Sequence, residues 1–329
     1  MSQAALYLGV DAGGTKTHAL ICDGAGRVRG VGIAGPGNWE GVGLEGALAT
    51  YREALGQALA QAGVSAAQLS AGGYGLAGYD WPSDHGRLDP LLERLGVPGP
   101  RVLVNDSAVA LRAGAEDGVG VVIIAGTGTT VAGCNPAGQR WRTFGEGNDL
   151  GDIGGAGDIA RLALRAVARA TTGAGPETAL TDAFLQHYGA SSAMEMLEWI
   201  VRGEAPRPNG ALAPQVFATA EAGDAVAQGI IRVVGAALGG NAAAVARRLG
   251  MGDLAFPVVL AGGVFRSRSA ALVAAIMAPV RALAPHAHPR PLETLPVVGG
   301  ALLAMEAAGQ HVVPDVHKRL AREAQERLG

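Results

Sequence analysis

Two stretches of this chain repeat each other. VDAGGTKTHALICDGAGR, from Val10, and VIIAGTGTTVAGCNPAGQ, from Val122, align at a constant offset without gaps. Val10, Gly14, Thr15, Thr17, Cys22, Ala25 and Gly26 meet Val122, Gly126, Thr127, Thr129, Cys134, Ala137 and Gly138, and Asp23 stands opposite Asn135. Each copy reads as an apolar β-rich run, a Gly/Thr turn, a second strand, a DGAG or NPAG turn and a third strand. A duplicated unit of three antiparallel strands limits the chain to folds that contain the same half twice.

The residues between and after the copies are helical in pattern. Leu44 to Ala62 places Leu44, Leu48, Tyr51, Leu55 and Leu59 on one face. A turn-rich segment from Gly72 to Asp84 precedes a helix near Leu88–Leu95 and a strand at Arg101–Val104. Asn105-Asp106-Ser107 then opens a helix through Ala115. Further helices are expected near 158–170, 177–187, 192–201, 214–222 and 224–249, with a buried strand at Phe256–Ala261 and an amphipathic helix from Pro314 to Leu328. The fold class is α/β, in two domains: 1–117, and 118–329 with helical insertions. No long linker separates them, so they are expected to face each other around a cleft, and the terminal helix can return to the first domain.

Composition excludes several classes. The 329 residues are 49% hydrophobic and 17% charged, too apolar for a disordered chain. A net charge of −3 leaves no basic footprint for nucleic acid. Cys22 and Cys134 are too few for a disulfide framework. The opening MSQAALYLGVDAGG has no basic region followed by an apolar stretch, so no secretory signal is expected. The uncharged stretch Gly118–Gln139 is broken by threonines and glycines and reads as strand, turn and strand rather than a membrane span. A cytoplasmic protein is expected.

The Gly/Thr turns are the first candidates for chemistry. Gly13, Gly14, Gly126 and Gly128 permit close approach of backbone to a ligand, and successive N–H groups in such turns form anion-binding concavities. Thr15, Thr17, Thr127 and Thr129 add hydroxyls and Lys16 a charge, Lys318 being the only other lysine. Neither turn is a Walker A loop, because neither has Gly-Lys-Ser/Thr opening a helix. Read singly, each is a tight hairpin; read as a pair with Asp11 at the strand end, they suit two adjacent phosphates. Asp11 can hold Mg²⁺ through water, and the second copy has Ile123 in its place. Asp106 follows an apolar strand and starts a helix, which is the position either of an N-cap or of a base at the crevice end of an α/β sheet. GPGNW (Gly35–Trp39) and GEGNDLGDIGGAG (Gly145–Gly157) gather carboxamide, carboxylate and aromatic groups suited to a polyhydroxylated ligand, or to solvated loops. LAGGVF (Leu260–Phe265) suits a flat base or a simple strand-to-helix turn. His286 and His288, in a Pro-rich loop without a third ligand in step, read as exposed histidines.

DAGGTKT, NDS, GTGTT, LAGGVF and the VVGG from Val297 resemble, in order, the five elements of the sugar kinase/Hsp70/actin superfamily of ATPases. Within it, from about Leu6 to Ala307, the chain is most similar to the BadF/BadG/BcrA/BcrD-type group that includes N-acetylglucosamine kinases. That resemblance implies two ribonuclease-H-like domains with a nucleotide cleft between them, and ATP and Mg²⁺ as cofactors. It implies Asp11 near the Mg²⁺; Gly13, Gly14, Thr15, Lys16, Thr17, Gly126, Thr127, Gly128 and Thr129 on the phosphates; and Gly262, Gly263 and Val264 beside the adenosine. It makes Asp106 the catalytic base and sets Asn38, Trp39, Asp106, Gly145 and Asp152 on the sugar. The implied reaction moves the ATP γ-phosphoryl to the 6-hydroxyl of an amino sugar, chiefly by positioning and charge stabilisation.

Two departures bear on the sugar. Glu146 stands where the family's Trp falls, which adds it to the sugar-binding candidates, and Ile153 in GDIGG replaces an acid. An added carboxylate suits a free ammonium, so the substrate is N-acetylglucosamine or, alternatively, glucosamine. Another function in the same group, ATP-driven activation of a 2-hydroxyacyl-CoA dehydratase-type enzyme, needs paired cysteines near the nucleotide, and Cys22 and Cys134 sit in the duplicated strands. A sugar-responsive repressor would need a DNA-binding module, and an actin-like filament would leave GPGNW and the Gly145–Gly157 loop without purpose. The partners expected are a small-molecule sugar and a nucleotide, with no nucleic acid or membrane, and a homodimer is left open.

Overall fold

A computed structural model describes residues 5–329. The first four residues of the opening stretch, and the side chain of Asn148 in the Gly145–Gly157 loop, lie outside the described ones. In chain order the first elements are strands β1 (Leu6–Ala12), β2 (Thr17–Asp23) and β3 (Val28–Ala34), helix α1 (Trp39–Ala62), strand β4 (Ala71–Leu76), helix α2 (His85–Glu93), strand β5 (Arg101–Asn105) and helix α3 (Asp106–Gly114). Strands β6 (Gly120–Ala125), β7 (Thr129–Cys134) and β8 (Arg140–Arg142) follow. Helices α4 (Ala156–Thr171), α5 (Leu180–Tyr188), α6 (Ala193–Arg202), α7 (Ala213–Glu221) and α8 (Ala225–Arg248) come next. Strand β9 (Pro257–Ala261), helix α9 (Ala270–Leu283), strand β10 (His288–Pro291), and helices α10 (Pro296–Ala307) and α11 (Pro314–Leu328) complete the chain.

The first sheet has the order β3-β2-β1-β4-β5 and the second β10-β9-β6-β7-β8. Read from the matching edge, the second is β8-β7-β6-β9-β10, the same topology. The duplication extends to single hydrogen bonds. In the first copy Asp23 Oδ1 accepts the N–H of Ala25 (3.0 Å) and Arg27 (3.1 Å), and the Gly26 N–H donates to Asp23 O. In the second, Asn135 Oδ1 accepts the N–H of Ala137 (3.1 Å) and Gln139 (3.0 Å), and the Gly138 N–H donates to Asn135 O. Gly26 and Gly138 take the same left-handed φ, 77° and 75°, which is why both copies keep glycine there.

The chain divides into two compact units: 1–122, 132–140 and 290–329 in the first, and 123–131 and 141–289 in the second. In the first unit α1 and α2 cover one face of the sheet, with Leu8, Val10, Ile21, Leu48, Tyr51 and Tyr74 in that core. α10 and α11 cover the other face, where Leu20, Cys22, Val298, Leu302 and Leu320 pack. In the second unit α8 packs along α9, and α4 along α7 and α8. Among the described residues α8 is the one helix long and apolar enough to cross a membrane, and a little over half of it is buried in the fold.

The segment from Gly72, expected as turns, contains β4, a central strand paired in parallel with β1 and β5. AGGYGL hides its strand character because glycines replace the branched residues that mark strands. They are there for close packing. A Cβ on Gly73 would strike the Gly300 carbonyl of α10, and one on Gly75 would strike the Val109 side chain of α3. α1 begins five residues before the expected start, with a break at Gly43 (φ 73°). His288 opens β10 rather than lying in a loop, although it is exposed as expected.

Candidate active site

Three parallel strands position the candidates of the first unit. Ala12, Leu76 and Asn105 are in register at the carboxyl ends of β1, β4 and β5. Asp11, in β1, and Asp106, the residue after β5, therefore flank one row of the sheet, and their strands are two spacings (~10 Å) apart. Strand ends of this kind are where open α/β sheets gather ligands.

Asp11 is half-buried and pairs with His18 across the β1–β2 ladder, with Oδ2 4.0 Å from His18 Nδ1. The turn between them closes with the Gly13 N–H donating to Lys16 O (3.0 Å), while the Gly37 N–H donates to Gly13 O (2.9 Å) from behind. Gly14, Thr15 and Lys16 are exposed, and nothing lies within 4 Å of a Cβ built on Gly14. Thr17 is fully buried, and its hydroxyl, like His18 Nε2, has no hydrogen-bond partner.

β5 passes into α3 with no intervening loop. Asn105, extended at φ −62° and ψ 151°, is the cap: its Oδ1 accepts the Ser107 N–H at 3.0 Å. Asp106 is thus the first helical residue, and the capping role that the sequence left open for it belongs to its neighbour. A carboxylate at this position gains from the positive end of the helix dipole. Asn38 caps α1 in the same way through the Glu40 N–H (3.0 Å), and Trp39 starts that helix with Nε1 donating to Gly78 O at 2.7 Å. The Arg87 guanidinium lies 5.4 Å from the Trp39 ring centroid, within cation–π range. Gly78 has φ 82°, and a Cβ there would meet Asn38 Oδ1 and Trp39 Nε1 at 2.5 and 2.9 Å. Asn38 and Trp39 therefore rest against the chain that leaves β4, and the Asn105 amide donates to Asp80 of the same segment at 2.9 Å.

The second unit holds the other candidates. Its Gly/Thr turn is one residue tighter, with the Gly126 N–H donating to Gly128 O (2.9 Å), and the Ala156 N–H donating to Gly126 O (2.8 Å) ties it to the start of α4. Thr127 and Gly128 are exposed, whereas Thr129 is buried with an unpartnered hydroxyl, as in the first copy. Gly262 (φ 101°) leaves no room for a Cβ against the Ala125 backbone, so LAGGVF lies beside the strand that feeds this turn. Gly262 and Gly263 are exposed and Val264 is buried. The Asp152 carboxylate is 2% exposed and pins its loop, accepting the N–H of Gly145 (2.7 Å) and Glu146 (3.2 Å). Gly145, at φ 81°, packs against Thr130, and Glu146 is exposed.

Each turn, within its own unit, suits an anionic phosphate group. Both turns present open backbone, and the orphaned Thr17 and Thr129 hydroxyls are the kind of buried polar group that calls for a partner. Among the described residues no three His, Cys, Asp or Glu side chains cluster as metal ligands. Mg²⁺ held through water by one carboxylate and by phosphates needs no such cluster.

The sequence profile of the BadF/BadG/BcrA/BcrD ATPase family matches residues 8–304. The chain belongs to that family. Its relatives include the N-acetylmuramic acid/N-acetylglucosamine kinase of Clostridium acetobutylicum, 29% identical, with 79% of this chain and 85% of that protein aligned. The N-acetyl-D-glucosamine kinase of Dictyostelium discoideum is 28% identical over 78% of this chain and 85% of its own. A solved structure from Chromobacterium violaceum, a candidate N-acetylglucosamine kinase, superposes with a TM-score of 0.66, covering 91% of this chain and 99% of that one at 24% identity. The family and fold that the motifs implied are thus established. Sequence reasoning passed over three residues beside its candidates: His18 opposite Asp11, Asn105 before Asp106, and Asp80 in the turn after β4. His18 was legible by counting across the GGTK turn to the residue opposite Asp11. Asn105 was legible as an N-cap residue type. Asp80 had no sequence signal, since its contact depends on β4.

Proposed function

We propose that the chain is an ATP-dependent amino-sugar kinase that phosphorylates N-acetylglucosamine at the 6-hydroxyl. The observation that carries this reading is the division of labour at the start of α3: Asn105 caps the helix, so the Asp106 carboxylate is not needed as the cap, in line with the end of the strand that bears Asp11. In the reaction Asp106 accepts the hydroxyl proton as the sugar oxygen bonds the γ-phosphorus and the bond to the ADP oxygen breaks. The Gly13–Thr17 and Gly126–Thr129 turns hold phosphate oxygens, and Gly262, Gly263 and Val264 border the adenosine. Asn38, Trp39, Gly145, Glu146 and Asp152 orient the sugar. Mg²⁺, held by Asp11 through water, would supply neutralisation of phosphate charge.

Glucosamine is the second reading, favoured by the exposed Glu146 carboxylate in the loop that Asp152 pins. The activator reading loses support from Cys22, which is fully buried in the first unit's core with burial pushing its thiol pKa up, as in an inert structural cysteine. We read the protein as cytoplasmic, acting on small molecules. Sugar-dependent ADP release, measured over N-acetylglucosamine, glucosamine and N-acetylmuramic acid, tests the proposal. Turnover is expected with N-acetylglucosamine, and Asp106→Asn is expected to cut kcat about 10²–10⁴-fold while the thermal shift caused by ATP persists. No ADP release with any of the three sugars overturns it.

A further inference from the structure

We propose that Asp80 is a positioning residue for phosphoryl transfer, acting on Asp106 through Asn105. Asn105 uses Oδ1 to accept the backbone N–H and the hydroxyl of Ser107, which leaves its amide nitrogen in need of an acceptor. Asp80 Oδ1 is that acceptor, at 2.9 Å. An anionic acceptor gives a stronger bond than a neutral one and fixes which end of the Asn105 amide faces the helix.

Asp80 is itself held. Its N–H and that of Trp81 donate to Asp84 Oδ2 at 3.0 and 2.7 Å, and Arg87 donates to Asp84 Oδ1 at 2.9 Å. Asp84 is 1% exposed, so the whole turn is anchored from inside the first unit. The other end of the same turn is Gly78, whose carbonyl takes the Trp39 indole. One short segment thereby sets both Trp39 and the residue that precedes the base. A base displaced by about 1 Å can lose 10²-fold in rate, so an anchor one residue from Asp106 acts on kcat more than on nucleotide affinity.

The inference rests on the sugar-kinase reading. Sugar-dependent ADP release is measured for Asp80→Ala, Asp80→Asn, Asn105→Ala and the Asp80→Ala/Asn105→Ala double variant, each with its melting temperature. We expect Asp80→Ala to lower kcat about 10- to 100-fold, with the KM for ATP nearly unchanged. Asp80→Asn, which keeps an acceptor oxygen, should restore most of it. Asp80→Ala should cost little more once Asn105 is alanine, the signature of residues acting in series. Wild-type kcat in Asp80→Ala overturns the inference, and so do multiplicative losses in the double variant, which would put Asp80 on the substrate itself. Should Asp80→Ala fail to fold, a large kcat loss in Asn105→Ala beside a small one in Asp80→Asn supports the inference, and equal kcat values in those two overturn it. An active wild type indifferent to Asp80 defeats this inference alone; an inactive wild type defeats the kinase reading with it.

Discussion

Asp23 and Asn135 do the same turn-forming work with different charge, which makes Asp23 a test of what its charge adds. Burial alone would raise the Asp23 pKa, but the Arg27 side chain and the N–H groups of Arg27 and Ala25 hold it below the ordinary carboxylate value. A carboxyl with a lowered folded pKa stabilises the fold above its unfolded pKa of about 3.9, and that contribution is lost as pH falls through the folded value. Arg27 is mostly exposed, so the ion pair itself is worth only about 0.2–1 kcal/mol. Asp23→Asn, copying the second repeat, should therefore cost no more than that at pH 7, and the gap to wild type should close below about pH 4. Asp23→Ala, which strips the turn of its acceptor, should cost about 1–3 kcal/mol. Urea melts of both variants at pH 7 and pH 3.5 measure the difference; equal losses at pH 7 would refute this account. At this scale the sequence was informative where one residue type has one local job. The Asp23/Asn135 exchange was visible as a turn, but the cap alternative at Asp106 could not be removed, because that required knowing that Asn105 adopts extended φ/ψ and caps the helix itself.

The elements show where that legibility ends. Periodicity located α1, α8 and α11 well, since each buries one stripe against a sheet or another helix. It missed β4 because α10 and α3 both press on one face of the strand, which keeps glycines where it touches them. Glycine content alone does not distinguish this role from a flexible one, but the surroundings do. Gly73 sits against the Gly300 carbonyl, whereas Gly56, inside α1 and exposed, has nothing within 4 Å of a built Cβ. Gly73→Ala should destabilise by about 1–3 kcal/mol or more through overpacking. Gly56→Ala should stabilise by up to about 1 kcal/mol through helix propensity. Opposite shifts in melting temperature are expected, and a shared sign would mean that packing against α10 is not what fixes glycine in β4.

The whole molecule carries one sheet topology twice, and the sequence revealed this because turn chemistry survives when strand residues change. What it left unread is how the two copies diverged: Asp11 faces His18 in one, Ile123 stands in the matching place in the other, and the turns differ by one residue in their closing bond. One feature stayed the same in both, a buried threonine hydroxyl without a partner, Thr17 in the first unit and Thr129 in the second. An unsatisfied buried hydroxyl costs stability, about 1–3 kcal/mol, and both copies keep one. If phosphate oxygens are the missing partners, the cost is borne by the free protein and removed on binding. Thr17→Val and Thr129→Val, nearly isosteric, should each raise the melting temperature of the free protein, on the order of 2 °C per kcal/mol for a chain of this size. Each should also shrink the stabilisation by a non-hydrolysable ATP analogue, which for wild type reaches about 2.7 kcal/mol at a hundredfold excess over Kd. Because the threonines belong to different units, each variant tests its own copy of the repeat separately. Thermal shifts with and without the analogue decide it. A valine variant that melts lower than wild type, or keeps the full ligand shift, would make these hydroxyls relics of the ancestral hairpin instead of phosphate contacts.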